Sequence, residues 1–496
     1  LEVAALWPAR MSSASSLLSA DQHSALAAAL RECLPEEGLI EDTESQRPFE
    51  CDALTTYREL PLLVALPETT AQVQEVLRLC HAFDVPVVPR GAATGLCAGA
   101  MPHPEGVLLS LTKLDRILEV DPLARFARVQ PGVANLSISR AAAEHGLYYA
   151  PDPSSQIACS IGGNVASNSG GVHCLKYGLT VHNLLAMTVL TVEGEALHLG
   201  GLALDSPGYD LMALLTGSEG LLGVVTEITV RLLPTPPRAR VVLAGFASIA
   251  AAGDAVAAII ASGITPAGLE MMDRLAIRAA EDFCHAGYPR EAEAILLCEV
   301  DGTAEEVEQH IGELSAILAA AGASSLQVSR DEAERALLWQ GRKSAFPAVG
   351  RLAPDYYCMD GTIPRSQISR VLGEISALSK EYGLPVANVF HAGDGNLHPL
   401  ILFDAGNPRE LHKAEEFGGR ILDLSVAAGG CITGEHGVGV EKLRKMPSQF
   451  SPAELAQFEE IKHAFDPRLN LNPGKGIPIL KRCQEYRALP LRHAHV

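Results

Sequence analysis

The segment PDPSSQIACSIGGNVASNSGGVHCLKYG, residues 151–178, is the stretch that says most about the fold. It carries the glycine pairs Gly162-Gly163 and Gly170-Gly171, several serines and asparagines, and few charged residues. A connection this long and this poor in charge is more typical of a segment ordered around a large polar ligand than of a solvated surface loop. The segment therefore predicts a domain built around a bound cofactor.

Two further glycine-rich loops lie in the same part of the chain. PVVPRGAATGLCAGA, residues 86–100, follows a predicted strand and places a glycine at every fourth position from Gly91 to Gly99, and TGSEGLLGVVTE occupies residues 216–227. Glycine tolerates positive φ and leaves backbone N–H groups open to a phosphate. The first loop fits neither G-x-G-x-x-G nor the Walker pattern, and alone it is equally well a tight turn. Three such loops together favour a dinucleotide cofactor.

Size and composition indicate a globular enzyme. The chain has 496 residues, 48% of them hydrophobic and 20% charged, so two or three domains with sizeable cores are expected. A formal net charge of -20 argues against nucleic-acid binding, which relies on lysine and arginine against phosphates. We expect no transmembrane segment, because no apolar run has the length needed to span a bilayer. The opening LEVAALWPAR, ahead of Met11, lacks the features of a secretory signal and is interpreted as an extension outside the fold.

The cysteines predict a reducing environment and no metal cluster. Eleven are scattered along the chain, an odd number without a Cys-x-x-Cys pair. This pattern is typical of reduced cytosolic thiols, and it offers no ligand set for an iron–sulfur cluster or a structural zinc. Electrons that pass through the chain would have to leave to another molecule.

Strand and helix patterns alternate along the chain and predict an α+β fold. The stretch TTAQVQEVLRLCHAF predicts a helix with Val73, Val76, Leu77 and Cys80 on its buried face, and Asn135 is expected to cap a later helix. The proline cluster LLPTPPRAR suggests a linker, after which helices are expected to pack on an antiparallel sheet. The predicted divisions are an N-terminal extension with a helical segment (1–50), a first domain (51–235), a second domain (236–430), and a segment returning to the first domain (431–496).

Two histidine-bearing segments are the candidates for chemistry. In HAGDGNLH, residues 391–398, a two-residue turn at Asp394-Gly395 would place His391 directly opposite His398, close enough to share a metal. A hydrogen-bonded pair of core histidines is the simpler alternative. In ITGEHGVG, residues 432–439, neighbouring side chains of an extended segment would point to opposite sides. Glu435 could then complete a His-His-Glu metal set while His436 faces a substrate, unless the pair is purely structural.

Taken together, the quoted loops and motifs resemble a known family. The chain from about residue 50 to 480, including GRKSAFPAVGRLAPDYYCMDGTIPR (341–365) and LNPGKG (471–476), is similar to the flavin-linked oxidases of the vanillyl-alcohol oxidase type. It looks closest to the FAD-containing subunits of bacterial glycolate oxidase, with D-lactate and D-2-hydroxyglutarate dehydrogenases as relatives. The resemblance implies a two-domain α+β fold, in which 51–235 binds FAD and 236–430 forms a cap over the substrate.

The resemblance also assigns residues to the FAD site. Backbone N–H groups around the pyrophosphate would come from Arg90, Gly91, Ala92, Ala93, Thr94, Gly95, Leu96, Gly99 and Ala100. The flavin would be bordered by Pro151, Ser155, Ser160, Gly162, Gly163 and Asn168, and the remaining contacts would come from Glu219, Gly223, Ile228 and Asn472. The family commonly has glycine at positions 92, 93 and 98, where this chain has alanine. Because alanine resists positive φ, we expect the loop to avoid that conformation at these three sites.

Catalytic roles are implied in the same way. His391, His398 and Glu435 would hold a divalent metal, with zinc the first expectation and manganese or iron behind it. His436 would remove the hydroxyl proton of a 2-hydroxy acid, and FAD would accept the hydride. Arg342 would pair with the substrate carboxylate, its alternative being a surface arginine beside Lys343.

Substrate, partners and location complete the expectations. Dicarboxylate-oxidising relatives add a lysine near the segment that here reads PDYYCMDG, so Tyr356 and Tyr357 favour glycolate or D-lactate over 2-hydroxyglutarate. The family implies a second flavin-type subunit and an iron–sulfur subunit as partners. The expected location is the cytoplasm, or the inner-membrane surface through those partners. Other readings are a dehydrogenase that acts alone, a catalytically silent assembly subunit, and a metal-dependent hydrolase without flavin.

Overall fold

The computed structural model describes residues 18–203 and 207–478, so the expectations for the first ten residues and for the end of the chain fall outside it. The strands before the proline cluster are β1 (Leu39–Ile40), β2 (Leu63–Ala65), β3 (Val87–Arg90), β4 (Val107–Ser110), β5 (Ile117–Asp121), β6 (Phe126–Val129), β7 (Leu147–Tyr148), β8 (Leu184–Leu190), β9 (Ala196–Gly200), β10 (Val224–Arg231) and β11 (Leu233–Pro234). The α-helices of this region are α1 (Ala20–Cys33), α2 (Thr43–Gln46), α3 (Thr70–Phe83), α4 (Asn135–Ala142), α5 (Ile161–Ser167), α6 (Cys174–Tyr177) and α7 (Leu211–Leu215).

Two sheets carry the glycine-rich loops. One has the order β1-β2-β4-β3, in which β4 runs parallel to both β2 and β3, and the other is an antiparallel sheet of order β5-β6-β10-β8-β9. A short pair, β7 with β11, lies beside them. The first glycine-rich loop leaves the end of β3, the second surrounds α5, and the third precedes β10. The three loops therefore start from rigid elements of one region.

The helix predicted from the pattern at 69–83 is confirmed, and one predicted cap is wrong. Helix α3 buries the four expected side chains and begins at Thr69, whose hydroxyl accepts from the Gln72 N–H. Asn135 does not cap α4: it is the first residue of that helix, and its amide donates to the Pro151 carbonyl at 3.1 Å and to Asn164 Oδ1 at 3.0 Å. The tertiary partners outcompete the local cap because Asn135 is buried against the 151–178 segment.

A second region follows the proline cluster. Its strands are β12 (Arg238–Phe246), β13 (Gly268–Asp273), β14 (Ala294–Gly302), β15 (Ala323–Val328), β16 (Asp355–Cys358), β17 (Val386–His391) and β18 (Pro399–Phe403). Its α-helices are α8 (Ile249–Ala261), α9 (Arg274–Cys284), α10 (Ala304–Ala320), α11 (Glu332–Lys343), α12 (Ala345–Val349), α13 (Ile368–Tyr382) and α14 (Pro408–Ala427). The strands form one sheet of order β15-β12-β14-β13-β17-β18-β16, and every neighbouring pair is antiparallel. The expected antiparallel sheet is confirmed.

Both faces of this sheet are buried. Along β12, Val242 and Phe246 enter one hydrophobic cluster with residues of α8, α10, α13 and α14, whereas Val241 and Leu243 enter another with residues of α9, α11 and α12. Because side chains alternate along a strand, helices on both faces explain why the strand sequences are almost continuously apolar. Charged residues inside these strands are therefore exceptions that call for a function.

The chain then returns to the first region. Helices α15 (Met446–Gln449) and α16 (Pro452–Phe465) precede a segment in which Leu471 bridges Val87 in parallel and the Asn472 N–H donates to the Val87 carbonyl at 2.7 Å. Short 3₁₀ helices occur at Arg47–Phe49, Ala143–His145, Thr180–Asn183, Arg365–Gln367 and Leu443–Lys445. Within the described ranges, no helix combines the length and apolarity needed to cross a membrane.

Candidate active site

A cavity lies where the three glycine-rich loops meet. It is lined by Pro89, Arg90, Gly91, Leu111, Pro131, Gly162, Gly163, Ala166, Leu215, Ser218, Glu219, Gly220, Gly223, Val224 and Val225. Six of the residues assigned to FAD from the sequence are among them, and each of the three loops contributes. The lining is mostly apolar side chains and open backbone, which suits a flat ring system and a phosphate chain.

Close approach between two of the loops requires glycine. A Cβ on Gly91 would lie 2.3 Å from Ser160 Oγ, and one on Gly162 would lie 2.6 Å from Pro131 Cβ. Ser160 Oγ accepts from the Ala92 N–H at 3.3 Å and from the Gly163 N–H at 3.4 Å. The hydroxyl thus joins the loop after β3 to the start of α5, and the two loops form one backbone cradle.

The expectation that alanine avoids positive φ in this loop is wrong at two of three sites. Ala93 has φ 54° and Ala98 has φ 58°, whereas Ala92 keeps a negative φ. A left-handed conformation costs an L-residue about 1–2 kcal/mol. At Ala98 the neighbouring backbone is held in place, because Arg90 donates to the Ala100 carbonyl at 3.2 Å and Lys475 donates to the Gly99 carbonyl at 3.1 Å.

Several residues assigned to FAD have structural contacts of their own. The Arg90 guanidinium donates to the Phe49 carbonyl, and the Asn472 amide donates to the Gly99 and Glu219 carbonyls, so both side chains hold loops in place. Asn168, with φ 49°, ends α5 and accepts from the Val181 N–H. Ile228 is fully buried in the core on β10 and does not line the cavity.

The remaining assigned residues lie in the same loops. Thr94, Gly95 and Leu96 follow the left-handed Ala93, and the Gly95 carbonyl accepts from the Ala53 N–H. The carbonyls of Pro151 and Ser155 hold the start of the 151–178 segment, accepting from Asn135 and from the Cys159 N–H respectively.

The predicted hairpin register at the histidines is wrong, although the two rings do meet. His391 pairs with Asn396, and the Val389 N–H donates to the His398 carbonyl, so the turn is the four-residue loop 392–395. The Gly395 N–H donates to the His391 carbonyl inside this loop, and Gly395 has φ 82°. His398 is therefore a diagonal neighbour of His391 on one sheet face, with ring centroids 5.2 Å apart.

His391, His398 and Glu435 converge on one point. Glu435 Oε1 lies 3.4 Å from His391 Nε2 and 3.2 Å from His398 Nε2. All three residues are buried or nearly so, and neither Nε2 atom makes a hydrogen bond. Three donor atoms within 4.8 Å of one another, two of them unpartnered lone-pair nitrogens, form a set that a divalent cation fits.

This set also touches the cofactor loops. A Cβ on Gly170 would lie 2.9 Å from Glu435 Oε2, so the second glycine pair of the 151–178 segment makes room for the carboxylate. Through this contact, the histidine motif and the glycine-rich loops border the same site.

A buried carboxylate orients one histidine. Glu270 on β13 lies directly opposite His391 on β17, and Glu270 Oε1 is 2.8 Å from His391 Nδ1. Burial lowers the pKa of His391, but Glu270 and Glu435 more than offset that effect and raise it. A proton held on Nδ1 leaves the lone pair of Nε2 facing Glu435.

Arg342 lies behind Glu270. Its Nη2 is 2.6 Å from Glu270 Oε2, and the residue is 1% exposed, which excludes the surface-arginine alternative. Nη2 is taken up by this ion pair, whereas Nε has no hydrogen-bond partner within the described residues, so the guanidinium keeps an N–H that a carboxylate ligand could use. The expected contact with a substrate carboxylate stays a prediction.

A second cluster, Asp360, His398 and His436, also has metal-like spacing but a different character. Asp360 Oδ2 accepts from Thr433 Oγ1 at 2.6 Å, from backbone N–H groups, and lies 3.3 Å from Lys442 Nζ. Burial would raise the pKa of Asp360, yet His436, Lys442 and His398 hold it well below its ordinary value. Asp360 Oδ2 is thus already surrounded by donors, whereas Oδ1 accepts from the Glu435 N–H at 3.1 Å and lies 3.5 Å from His398 Nε2.

His436 is placed for proton transfer. Its ring stacks on His398 with centroids 5.1 Å apart and 3° between the planes, and its Nδ1 lies 4.0 Å from Asp360 Oδ2. Burial lowers the pKa of His436 to about 4, with repulsion from His398 and Lys442 acting in the same direction. A neutral imidazole at pH 7 is the form that can accept a proton.

Sequence reasoning missed Glu270, Asp360 and Lys442. Two are charged residues inside apolar or glycine-rich stretches, Glu270 in GLEMMD and Asp360 in YYCMDGTIP, and Lys442 lies in GVGVEKL. An isolated charge in a segment expected to be buried is the signal that could have found Glu270 and Asp360, whereas Lys442 stands beside Glu441 in a charged stretch and gave no such signal.

Comparison with known proteins places these features in a family. Residues 61–200 match the FAD binding domain, and residues 235–476 match the C-terminal domain of FAD linked oxidases. The chain is 60% identical to the "Glycolate oxidase subunit GlcD" of Escherichia coli (strain K12) over 468 residues, which cover 94% of each protein. It is 32% identical to a "D-lactate dehydrogenase" of Anaerostipes hadrus over 455 residues, which cover 90% of this chain and 95% of that one.

The fold agrees with solved structures. A crystal structure of p-cresol methylhydroxylase with substrate bound superposes with a TM-score of 0.78, covering 92% of this chain and 97% of the other at 17% identity. The predicted α+β architecture of the vanillyl-alcohol oxidase type is thereby confirmed.

Proposed function

This chain belongs to the FAD-linked oxidase family and is an FAD-dependent oxidoreductase, and from that premise we propose that it oxidises glycolate to the corresponding 2-oxo acid. The observation that carries the proposal is the convergence of the His391, His398 and Glu435 donor atoms against Gly170, beside the cavity of the cofactor loops. The high identity to a relative named as a glycolate oxidase subunit supports the choice of substrate.

The residues present fit both groups that this chemistry requires. The backbone of the loops at 90–100 and 160–163 would hold the FAD pyrophosphate, and His391, His398 and Glu435 would hold a divalent ion, zinc first and manganese or iron behind it. When bound, FAD supplies the hydride acceptor and the metal supplies a Lewis acid for the substrate oxygens. Unpartnered, buried Nε2 atoms on both histidines support the metal assignment.

The chain's own residues supply the proton chemistry. His436 would accept the substrate hydroxyl proton at Nε2, because its Nδ1 faces Asp360 and its low pKa keeps the ring neutral. Glu270 holds the Nδ1 proton of His391, and Arg342 balances the charge of Glu270. Arg342 would also donate to the substrate carboxylate through the N–H group that lacks an acceptor.

The surroundings of His398 favour a small substrate. The Phe346 ring lies edge-on to His398, with centroids 6.0 Å apart, and edge-on to Tyr356 at 6.3 Å. Tyr357 is buried away from these rings, in the cluster that contains Met359. The Phe346 and Tyr356 rings, and a segment 354–361 without lysine, suit a short monocarboxylate better than 2-hydroxyglutarate. D-lactate is the second candidate, supported by relatives named as D-lactate dehydrogenases.

Electrons would pass to partner subunits in the cytoplasm or at the inner membrane. Neither metal-like cluster in the described part of the chain contains a cysteine, and the ten cysteines described are unpaired. A carrier of single electrons would then be an iron–sulfur subunit, with a second flavin-type subunit beside it, and the relative named as a subunit supports an assembly.

Anaerobic flavin bleaching tests the proposal. Purified protein should lose its flavin absorption with glycolate, more slowly with D-lactate, and hardly at all with L-lactate or D-2-hydroxyglutarate. Prior treatment with a chelator should slow the bleaching, and added Zn²⁺ or Mn²⁺ should restore it. Bleaching that ignores the chelator would refute the metal role, and a preference for L-lactate would refute the stereochemistry.

A further inference from the structure

The loop that carries Glu435 and His436 has every backbone N–H from 434 to 439 bonded to a side chain. The N–H groups of Gly434, Glu435 and His436 donate to Asp360 at 3.0, 3.1 and 3.0 Å. The Gly437 N–H donates to Thr433 Oγ1 at 3.0 Å. Those of Val438 and Gly439 donate to the two oxygens of Glu219, both at 2.7 Å. We call residues 433–439 the active-site loop.

The two carboxylates come from different regions of the chain. Asp360 follows β16 of the cap sheet, and Glu219 lies in the third glycine-rich loop, ahead of β10. Asp360 is fully buried, and Glu219 is partly buried and lines the cofactor cavity. The active-site loop is therefore held at one end by the second region, through Asp360, and at the other end by the first region, through Glu219.

Contacts around Asp360 close this arrangement. Thr433 Oγ1 donates to Asp360 Oδ2, and Lys442 Nζ lies 3.3 Å from the same oxygen while donating to the Gly437 carbonyl at 3.0 Å. Lys442 is fully buried, and its ammonium group balances the negative charge of Asp360, which three backbone N–H donors alone would not neutralise. The N–H groups of residues 434–436 all donate to Asp360, and this fixes the orientation of the backbone there. The directions of the Glu435 and His436 side chains are fixed as a result.

Glycine is required where the Glu219 carboxylate contacts the active-site loop. Gly437 has φ 86° and Gly439 has φ 51°, and a Cβ on Gly437 would lie 2.8 Å from Glu219 Oε1. Gly437 thus makes room for this carboxylate, whereas a Cβ on Gly439 would meet the Cys97 carbonyl oxygen at 2.0 Å.

We propose that Asp360 and Glu219 are positioning residues with separate tasks. Asp360 orients Glu435 and His436 for the metal, and Glu219 sets the distance between that loop and the bound flavin. The inference rests on the proposed function, because it takes Glu435 as a metal ligand. Neither carboxylate touches the reacting atoms in this scheme.

The test separates metal affinity from flavin reduction. Three proteins are compared: wild type, Asp360→Asn and Glu219→Gln. Each is stripped of metal, checked for FAD content, and titrated with Zn²⁺ and with Mn²⁺ in competition with a chromogenic chelator. Flavin bleaching by glycolate is then followed at saturating metal. An amide presents an N–H₂ group to at least one backbone N–H. Each variant therefore loses some of the hydrogen bonds from the active-site loop without a change in side-chain size.

Asp360→Asn should weaken metal binding by about 10–100-fold with FAD retained. Glu219→Gln should keep near wild-type metal affinity but bleach about 100-fold more slowly at saturating metal, because a small misplacement of the loop relative to the flavin slows transfer. Asp466→Asn is the matched control: that carboxylate is equally buried, pairs with Lys462 at 2.7 Å and accepts from the Leu471 N–H, but lies outside the site. It should change neither quantity.

Thr433 gives a milder version of the same test in case Asp360→Asn fails to fold. Thr433→Val removes only the hydroxyl and should weaken metal binding, whereas Thr433→Ser should restore it. Unchanged metal affinity in both Asp360→Asn and Thr433→Val would overturn the role of Asp360, and bleaching by Glu219→Gln at the wild-type rate would overturn that of Glu219. Wild-type protein that binds neither ion would instead overturn the proposed function.

Discussion

Glu270 and His391 face each other across neighbouring antiparallel strands, with Glu270 Oε1 2.8 Å from His391 Nδ1. Glu270 is the one glutamate in the strand GLEMMD, which is buried throughout. A carboxylate in such a place is costly unless it is paired, and here it binds both a histidine and the guanidinium of Arg342. This relationship fixes which nitrogen of His391 is available for a metal.

Glu270→Gln should therefore weaken metal binding by about 10–100-fold, because it no longer holds the Nδ1 proton and the ring can rotate or change tautomer. FAD should remain bound. Chelator competition with Zn²⁺ measures the affinity. Asp273→Asn, at the end of the same strand, removes an equally buried carboxylate that binds Asn388 instead and should leave the affinity near wild type. Equal affinities for wild type and Glu270→Gln would contradict the assignment.

His436→Ala should abolish flavin bleaching by glycolate while the protein stays yellow. Loss of a general base lowers such rates by about 10²–10⁴-fold. Stopped-flow absorbance under anaerobic conditions measures the rate. His463→Ala on α16, a partly exposed histidine, is the control and should bleach normally. A His436→Ala protein that bleaches at the wild-type rate would remove His436 from the mechanism.

The strained alanine at 93 predicts an unusual response to glycine. Ala92→Gly should lower the free energy of unfolding by about 0.5–1 kcal/mol, because glycine adds disorder to the unfolded chain and nothing is gained at a negative φ. At Ala93 the relief of a left-handed conformation offsets that loss. The free energy of unfolding of Ala93→Gly should therefore be about 1 kcal/mol higher than that of Ala92→Gly. Urea unfolding of the two variants checks the order, and the reverse order would show that φ at 93 carries no strain.

His173 links the two regions and should make their stability depend on pH. Its Nδ1 is 2.9 Å from Asp152 Oδ2 and its Nε2 is 3.1 Å from Glu299 Oε1 on β14. Burial would lower the pKa of His173, but Asp152 and Glu299 together raise it to about 10. A raised pKa in the folded state means that the charged pair stabilises fully below about pH 6.5 and loses its effect as the pH rises toward 10.

His173→Gln should thus be less stable than wild type, with the largest deficit near pH 6 and a shrinking deficit up to pH 10. Thermal unfolding of both proteins at matched pH values gives the difference. Comparison at each pH cancels the titration of the other groups, which the two proteins share. A deficit that is constant between pH 6 and 10 would show that His173 is not charged in the folded protein.

Much of the site was visible in the sequence because its signals are local. The glycine spacing of 86–100 and the paucity of charge in 151–178 predicted a cofactor domain, and the matched FAD binding domain at 61–200 confirms it. The helix at 70–83 followed from its apolar periodicity. Glu435 and His436 stood out as neighbours of opposite chemistry, whose side chains must diverge in an extended segment.

The tertiary structure decided what depends on distant partners. The flanking strands decided that Asp394-Gly395 is part of a four-residue turn and not a two-residue one. The distant Ile363 adds a constraint, because its carbonyl leaves no room for a Cβ on Gly395. Ala98 is left-handed beside Gly99 and Ala100, whose carbonyls accept from the distant Lys475 and from Arg90.

The chain by itself determined which residue types were present and where its local turns and helices begin, since those depend on neighbours within a few positions. Which carboxylates hold the active-site loop was decided only by folding. Asp360 lies more than seventy positions from the N–H groups it accepts, and Glu219 more than two hundred from its own. No spacing rule reaches that far, because hydrogen bonds between such segments form only once two sheets have packed and excluded water.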